Sequence, residues 1–167
     1  MGLDMYLISV PKIEGLTFDE TLIAIGRVHE HKAARDEIYE KIKPHIKHGE
    51  ESDLSWSELH DDIAYWRKAN QIHNWFVKHT NNGIDEPVFF SEVTKDKLEI
   101  LNNYCLEILD KKSNPAKILP TRPGPFFGSL AYDKFYYSEI EETQSIIEDL
   151  LNHFDFENRY LYYQCSW

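Results

Sequence analysis

RYLYYQCSW, residues 159–167, places Leu161, Tyr163, Cys165 and Trp167 on one side of the chain at two-residue steps. That period predicts a strand, with the terminal Trp buried against the fold. A second strand is expected over residues 3–10, where Leu3, Met5 and Leu7 alternate with Asp4, Tyr6 and Ile8 and Pro11 ends the run. Its apolar residues fall on both faces, as a central or well-covered strand requires. The simplest architecture pairs these N- and C-terminal strands in one small antiparallel sheet covered by three or more helices, an α+β fold. At 167 residues the chain suits a single domain. A chain of this length buries roughly 70% of its unfolded surface, enough to fold without a metal or disulfide staple.

Between the two strands the helical signals are uneven. Thr17-Phe18-Asp19-Glu20 has the form of a capping box, so a helix is expected from there toward Lys43, interrupted at Gly26 and ended by Pro44. The charged run 29–53 is expected to be a solvated helix or helix pair leading into a loop. Ser55-Trp56-Ser57-Glu58 is a second capping box, predicting a helix that runs to about His79 and ends at Asn81-Asn82-Gly83. A short strand over 87–91 follows, then a helix capped by Thr94 and reaching about Lys112, with Leu98, Leu101, Cys105, Ile108 and Leu109 as its apolar stripe. The last helix is expected over about 132–154, with Tyr136, Ile140, Thr143, Ile147, Leu150 and Phe154 facing inward.

The stretch AYWRKANQIHNWFV, residues 64–77, poses the functional question. On a continuous helix its main seam is Leu59, Ile63, Trp66, Asn70, His73 and Val77, with Tyr65, Ala69, Ile72 and Phe76 beside it. Arg67, Gln71 and Asn74 then fall on the polar face. Asn70 and His73 lie inside the apolar face, where an unpartnered polar group costs about 1–3 kcal/mol. Either they are hydrogen-bonded and lock the helix register, which is the commoner case, or they line a ligand pocket. A third use, His73 as a metal ligand with an acid such as Asp4, has no HxxxH or HExxH spacing behind it, and no metal or cofactor is expected.

SNPAKILPTRPGPFFGS, residues 113–129, is too rich in proline for a helix. It holds Arg122 on a stiff backbone next to Phe126 and Phe127. Such a loop either packs its rings in the core or clamps a phosphate, carboxylate or nucleobase. A pocket would therefore gather Asn70, His73, Arg122, Phe126 and Phe127, with Asp4, Arg67 and Tyr132 as further candidate ligand contacts.

Composition narrows the partners. The formal net charge of −11 opposes direct binding to a nucleic-acid backbone and suits solubility or a basic protein partner. Cys105 and Cys165 have no metal or redox spacing and are expected as buried free thiols in a reducing compartment. The N-terminus shows neither a signal peptide nor a membrane span, so a cytoplasmic protein without a membrane partner is expected. No nucleophile elbow or paired catalytic carboxylate stands out, which leaves enzymatic activity open.

Four blocks together, MGLDMYL (residues 1–7), YWRKANQIHNWF (65–76), LPTRPGPFFGS with YDKFYY (119–137) and YYQCSW (162–167), resemble a family of short bacteriophage and prophage proteins. Residues 12–53 carry none of the pattern. The resemblance implies an accessory protein acting in a bacterial host cell, most simply by binding a host protein, with counter-defence as one such use. It carries no activity. The alternative from the residues themselves is a protein that binds or processes a nucleotide-like small molecule around Asn70, His73 and Arg122.

Overall fold

In the computed structural model, which describes residues 2–47 and 58–167, four strands build one antiparallel sheet. They are β1 (Asp4–Pro11), β2 (Asp61–Arg67), β3 (Val88–Glu92) and β4 (Arg159–Ser166), in the order β2-β1-β4-β3. The first and last strands pair along their whole length, from Asp4 opposite Ser166 to Pro11 opposite Arg159. The fold is the expected α+β arrangement, with a larger sheet than two strands. β1 is central, and its side chains divide accordingly: Leu3, Met5 and Leu7 enter one core, Ile8 and Val10 another.

The first core is covered by α4 (Asn70–Thr80), α5 (Lys95–Leu109) and α7 (Lys134–His153). The stripes expected on α5 and α7 are the buried ones: Leu98, Leu101, Cys105 and Ile108 on the former, Tyr136, Ile140, Thr143, Ile147 and Leu150 on the latter. Phe154 and Leu109 stand at the margin of that core. Asp133 starts α7 by accepting the amide protons of Phe135 and Tyr136. A short α6 (Pro115–Ile118) lies in the proline-rich loop.

The second core lies under α1 (Phe18–Gly26), α2 (Val28–Ala34) and α3 (Glu37–Ile42), which a 3₁₀ turn at Lys43–His45 follows. The Thr17–Glu20 capping box is present with both reciprocal bonds. The charged run is more than a solvated helix: its Tyr39 and Ile42 are buried in one cluster with Val10, Ile25, Val28 and Tyr162. Arg35, at φ 51°, breaks the helix between them.

The central helix needs the largest correction. Residues 61–67 are strand, and the helix begins only at Asn70; residues 55–57 of the second capping box lie outside the described residues. The steps joining Leu59, Ile63 and Trp66 to Asn70 mimic a helical seam, but β1 supplies the competing pairing. Trp66 lies opposite Met5 and donates its indole N–H to Thr143 at 3.0 Å. Ile63 has no partner in β1, because the register shifts between Leu7 and Ile8. Lys68 then adopts φ 65° and turns the chain into α4.

α1–α3 cover only part of their face of the sheet. The row Asp62–Ile8–Tyr162–Glu92 borders the covered half. The next rows, Tyr65–Tyr6–Gln164–Phe90 and Arg67–Asp4–Ser166–Val88, lie toward solvent. Phe90 and Val88 are each 52% exposed and Tyr65 47%.

Candidate functional site

α4 buries four polar side chains, Asn70, Gln71, His73 and Asn74, so Gln71 and Asn74 are not on an exposed polar face as expected. Asn70 does not cap its own helix; it reaches the proline-rich loop instead. Its Nδ2 donates to the carbonyls of Phe127 at 3.1 Å and Ser129 at 2.8 Å, and its Oδ1 accepts the Arg122 amide at 2.9 Å. One turn on, Asn74 donates to the Pro120 carbonyl at 2.9 Å and accepts from Arg122 Nη1 at 3.1 Å. Proline at 120, 123 and 125 leaves this loop few amides to bond itself, so the two asparagines supply the bonds its backbone lacks.

His73 is fully buried. Its Nδ1 lies 2.8 Å from the Tyr163 hydroxyl and its Nε2 3.0 Å from Asp85 Oδ1, while Asp85 Oδ2 accepts from Arg122 Nε at 2.7 Å. Burial pushes the imidazole below its ordinary pKa, against the opposing pull of Asp85. A neutral ring has one donor and one acceptor. The carboxylate can only accept, so Nε2–H donates to Asp85 and the Tyr163 hydroxyl donates to Nδ1. Burial also lifts the Tyr163 phenol well above its usual range. Its ring stacks on Phe76 at 4.1 Å, and Phe127 stands edge-on to His73 at 5.2 Å.

A carboxylate, an imidazole and a hydroxyl in sequence resemble the wiring of an activated nucleophile. Here the hydroxyl is a buried phenol with 0% exposure, packed between rings and already donating. The nearby Cys165 thiol is likewise buried and pushed up to about 12. Both ring nitrogens of His73 and all four polar atoms of the Asn70 and Asn74 amides are engaged within the protein. The network ties α4, β4, the Asp85 turn and the proline-rich loop to one another.

The candidate residues thus separate. Asn70, His73, Arg122 and Phe127 meet in this network. Phe126, at φ 62° and 63% exposed, points away from Phe127, whose ring packs where a Cβ on Gly124 would collide. Tyr132 sits at the loop surface, its hydroxyl 3.3 Å from the Thr121 amide and its ring against Tyr136. Asp4 lies on the opposite face of the sheet from His73, accepting from Tyr65 at 2.5 Å, with Arg67 Nε 3.7 Å away. Three members of the network, Asn74, Asp85 and Tyr163, are not among the residues expected from the sequence. Asn74 shares a row with Arg67 and Gln71 on the expected helix, yet it stands four residues after Asn70, and that spacing is the signal that puts Asn70, His73, Asn74 and Val77 on one face. Tyr163 was on the inward side of its strand, a usable signal. Asp85 sits in a turn with no periodicity to betray it.

A pH dependence follows. Between the lowered folded pKa of His73 and its ordinary value near 6.5, the unfolded chain binds more protons than the folded one. This contribution to stability is therefore complete above about pH 6.5 and lost as the pH falls through the folded value. Guanidinium midpoints at about pH 7.5 and 5.5 should differ more for the native protein than for His73→Phe. His45 and His79, also lowered by burial, are common to both proteins and cancel in the comparison.

Among the described residues, no group of three or more His, Cys, Asp or Glu side chains is placed to hold a metal ion, and no helix is long and apolar enough to cross a membrane. Comparison with protein-family models, curated proteins and solved structures finds no match for the chain.

Proposed function

We propose that the chain is a phage or prophage accessory protein that works by binding a host protein, not by catalysis, and that it docks through the uncovered half of its sheet. The supporting observation is the apolar floor formed there by Tyr65, Phe90 and Val88, with Leu22 and Ile23 of α1 as its wall. Leu22, Ile23, Phe90 and Gln164 line a hollow of about 400 Å³ in it. An antiparallel sheet can leave a face to water, but such a face is ordinarily polar, and an apolar surface left open marks an interaction site. Aromatic residues in such a hollow are the usual anchors of a protein interface.

Charge narrows the partner. The two open rows and the row bordering them carry the acids Asp4, Asp62 and Glu92, and their single cation, Arg67, stands beside Asp4. With a net charge of −11, the face suits a basic protein that presents an apolar side chain to the hollow. The enclosure of the Tyr163–His73–Asp85 network supports binding over catalysis, since no substrate reaches its hydroxyl. The resemblance to phage proteins supplies the host as the partner's source.

A host protein captured on the native chain should be purified and titrated against three proteins: native, Phe90→Glu, and Ile100→Glu on the exposed side of α5. A basic partner whose affinity falls at least tenfold with Phe90→Glu and is unchanged by Ile100→Glu supports this docking face. Equal affinity for all three proteins overturns it.

A further inference from the structure

A second concavity lies at the corner where β2 turns into α4. It has a volume of about 260 Å³, and its walls include Arg67, Lys68, Gln71, Gly128, Phe135 and Glu139. Lys68 is the unusual member. Its backbone is in the left-handed region at φ 65°, which a side-chain-bearing residue rarely adopts. Two backbone bonds hold it there, its amide donating to the Leu3 carbonyl and its carbonyl accepting from the Asn70 amide, both at 2.8 Å. Its aliphatic stem runs between two glycines. A Cβ on Gly128 would lie 3.1 Å from Lys68 Cβ, and one on Gly2 would lie 3.3 Å from Lys68 Cε.

A strained backbone and two bare positions thus hold one lysine in place. Among the described residues Lys68 has no ion-pair partner, although the chain is strongly acidic. Strain of this kind persists where the surroundings enforce it and gathers at ligand sites. Arg67 stands beside Lys68 and shares the Gly2 contact. Two adjacent cations lining a cavity, Arg67 held only loosely by Asp4 at 3.7 Å, suit a doubly charged anion such as a phosphate monoester.

The rest of the cavity has another chemistry. Gln71, 1% exposed, donates to Glu139 at 2.7 Å. Glu139 is half-buried, and burial raises its pKa, with Glu142 and Asp133 adding to the rise. Gln71 takes one of its carboxyl oxygens, and the carboxyl lines the cavity, where it can meet an amino group. Phe135 is 64% exposed, and Lys134 lies over one side of its ring at 5.0 Å from the centroid. An aromatic ring with an open face takes a stacked base, worth about 1–3 kcal/mol.

We propose that this cavity binds a nucleoside monophosphate, with the phosphate on Lys68 and Arg67, the base against Phe135 and an amino edge of the base on Glu139. The site adjoins the docking face at Arg67 but uses neither its hollow nor its aromatic floor, and its test reads nucleotide binding whether or not a protein docks on the sheet.

Isothermal titration calorimetry of the full chain tests it, with the four ribonucleoside monophosphates, inorganic phosphate and phenylalanine as probes. At least one monophosphate should bind at submillimolar Kd and more tightly than phosphate alone. Lys68→Gln should weaken it about tenfold, the loss of one charge-assisted contact. Phe135→Ala should weaken the nucleotide but not phosphate, and Lys95→Gln should change neither. Lys68→Gly separates binding from folding: glycine accepts the left-handed backbone, so Tm holds or rises while binding is lost. No binding by any monophosphate overturns the proposal, as does binding that survives both Lys68 variants. Phosphate binding as tightly as the nucleotides would leave no base subsite, and binding of phenylalanine alone would make this an amino-acid site.

Discussion

Asn70→Ala should lower the unfolding free energy by about 3–4 kcal/mol, a large part of the 5–15 kcal/mol that holds an ordinary domain together. The side chain makes three hydrogen bonds to three separate backbone groups of the proline-rich loop. Each such bond contributes about 1 kcal/mol net, and a buried group left without its partner costs more than that. The loop cannot rearrange to compensate, because its prolines fix φ and lack the amides that would close bonds within it. Phe127 sits on the same segment and packs edge-on against His73 and Trp167, so loosening the loop also loosens the core. For a domain of this size the loss corresponds to a fall in Tm of about 10 °C. Asn70→Asp, nearly identical in shape, should do no better at neutral pH: its carboxylate would face two carbonyls that need donors. Thermal melts of the two variants beside the native protein check this, and an aspartate variant as stable as native would show that the loop is held by something else.

Asp85→Ala should cost about 3 kcal/mol, the lower end of the range for breaking a buried charge pair. Asp85 accepts a hydrogen bond from His73 on one oxygen and from Arg122 on the other. The two partners respond differently. Arg122 is 27% exposed and can swing toward water, which limits its share of the loss. His73 is sealed in and can neither leave nor find another acceptor for Nε2–H, so its donor stays stranded. Asp85→Asn keeps one acceptor but must turn its amide N–H₂ toward one of the two donors, and should fall between alanine and native. Removing Asp85 also removes what holds the His73 pKa up, so the stability loss that begins at about pH 6.5 should extend to lower pH and be larger than in the native protein. Guanidinium titrations of the single variants and of Asp85→Ala with Arg122→Ala, closed as a double-mutant cycle, separate the ion pair from the His73 bond. A coupling near zero between Asp85 and Arg122 would place the whole loss on the histidine.

Much of the architecture was legible in the chain itself, because it rests on local periodicity. The two-residue alternation of Leu161, Tyr163 and Cys165 and of Leu3, Met5 and Leu7 marks half-buried strands wherever they are placed. The stripes of α5 and α7 repeat at helical spacing over enough turns to leave one solution, and the Thr17 capping box is complete within four residues. Where the signal was short, tertiary structure decided. Residues 61–67 are compatible with both a helix and a strand, and only a vacant edge of β1 makes them β2. That choice moves Trp66 from a helical seam to a strand.

The candidate sites divide the same way. The burial of Asn70 and His73 was foreseeable, since polar residues amid apolar ones on α4 must be enclosed. Which groups answer them was not, because Asp85, Arg122 and Tyr163 come from a turn, a loop and a strand, 12, 49 and 90 residues from His73. Hydrogen-bond partners at such separations leave no periodic trace. The same holds for the open half of the sheet and for the cavity at Lys68: local sequence specifies the side chains, while strand order and the crossing of helices over the sheet decide which of them remain uncovered.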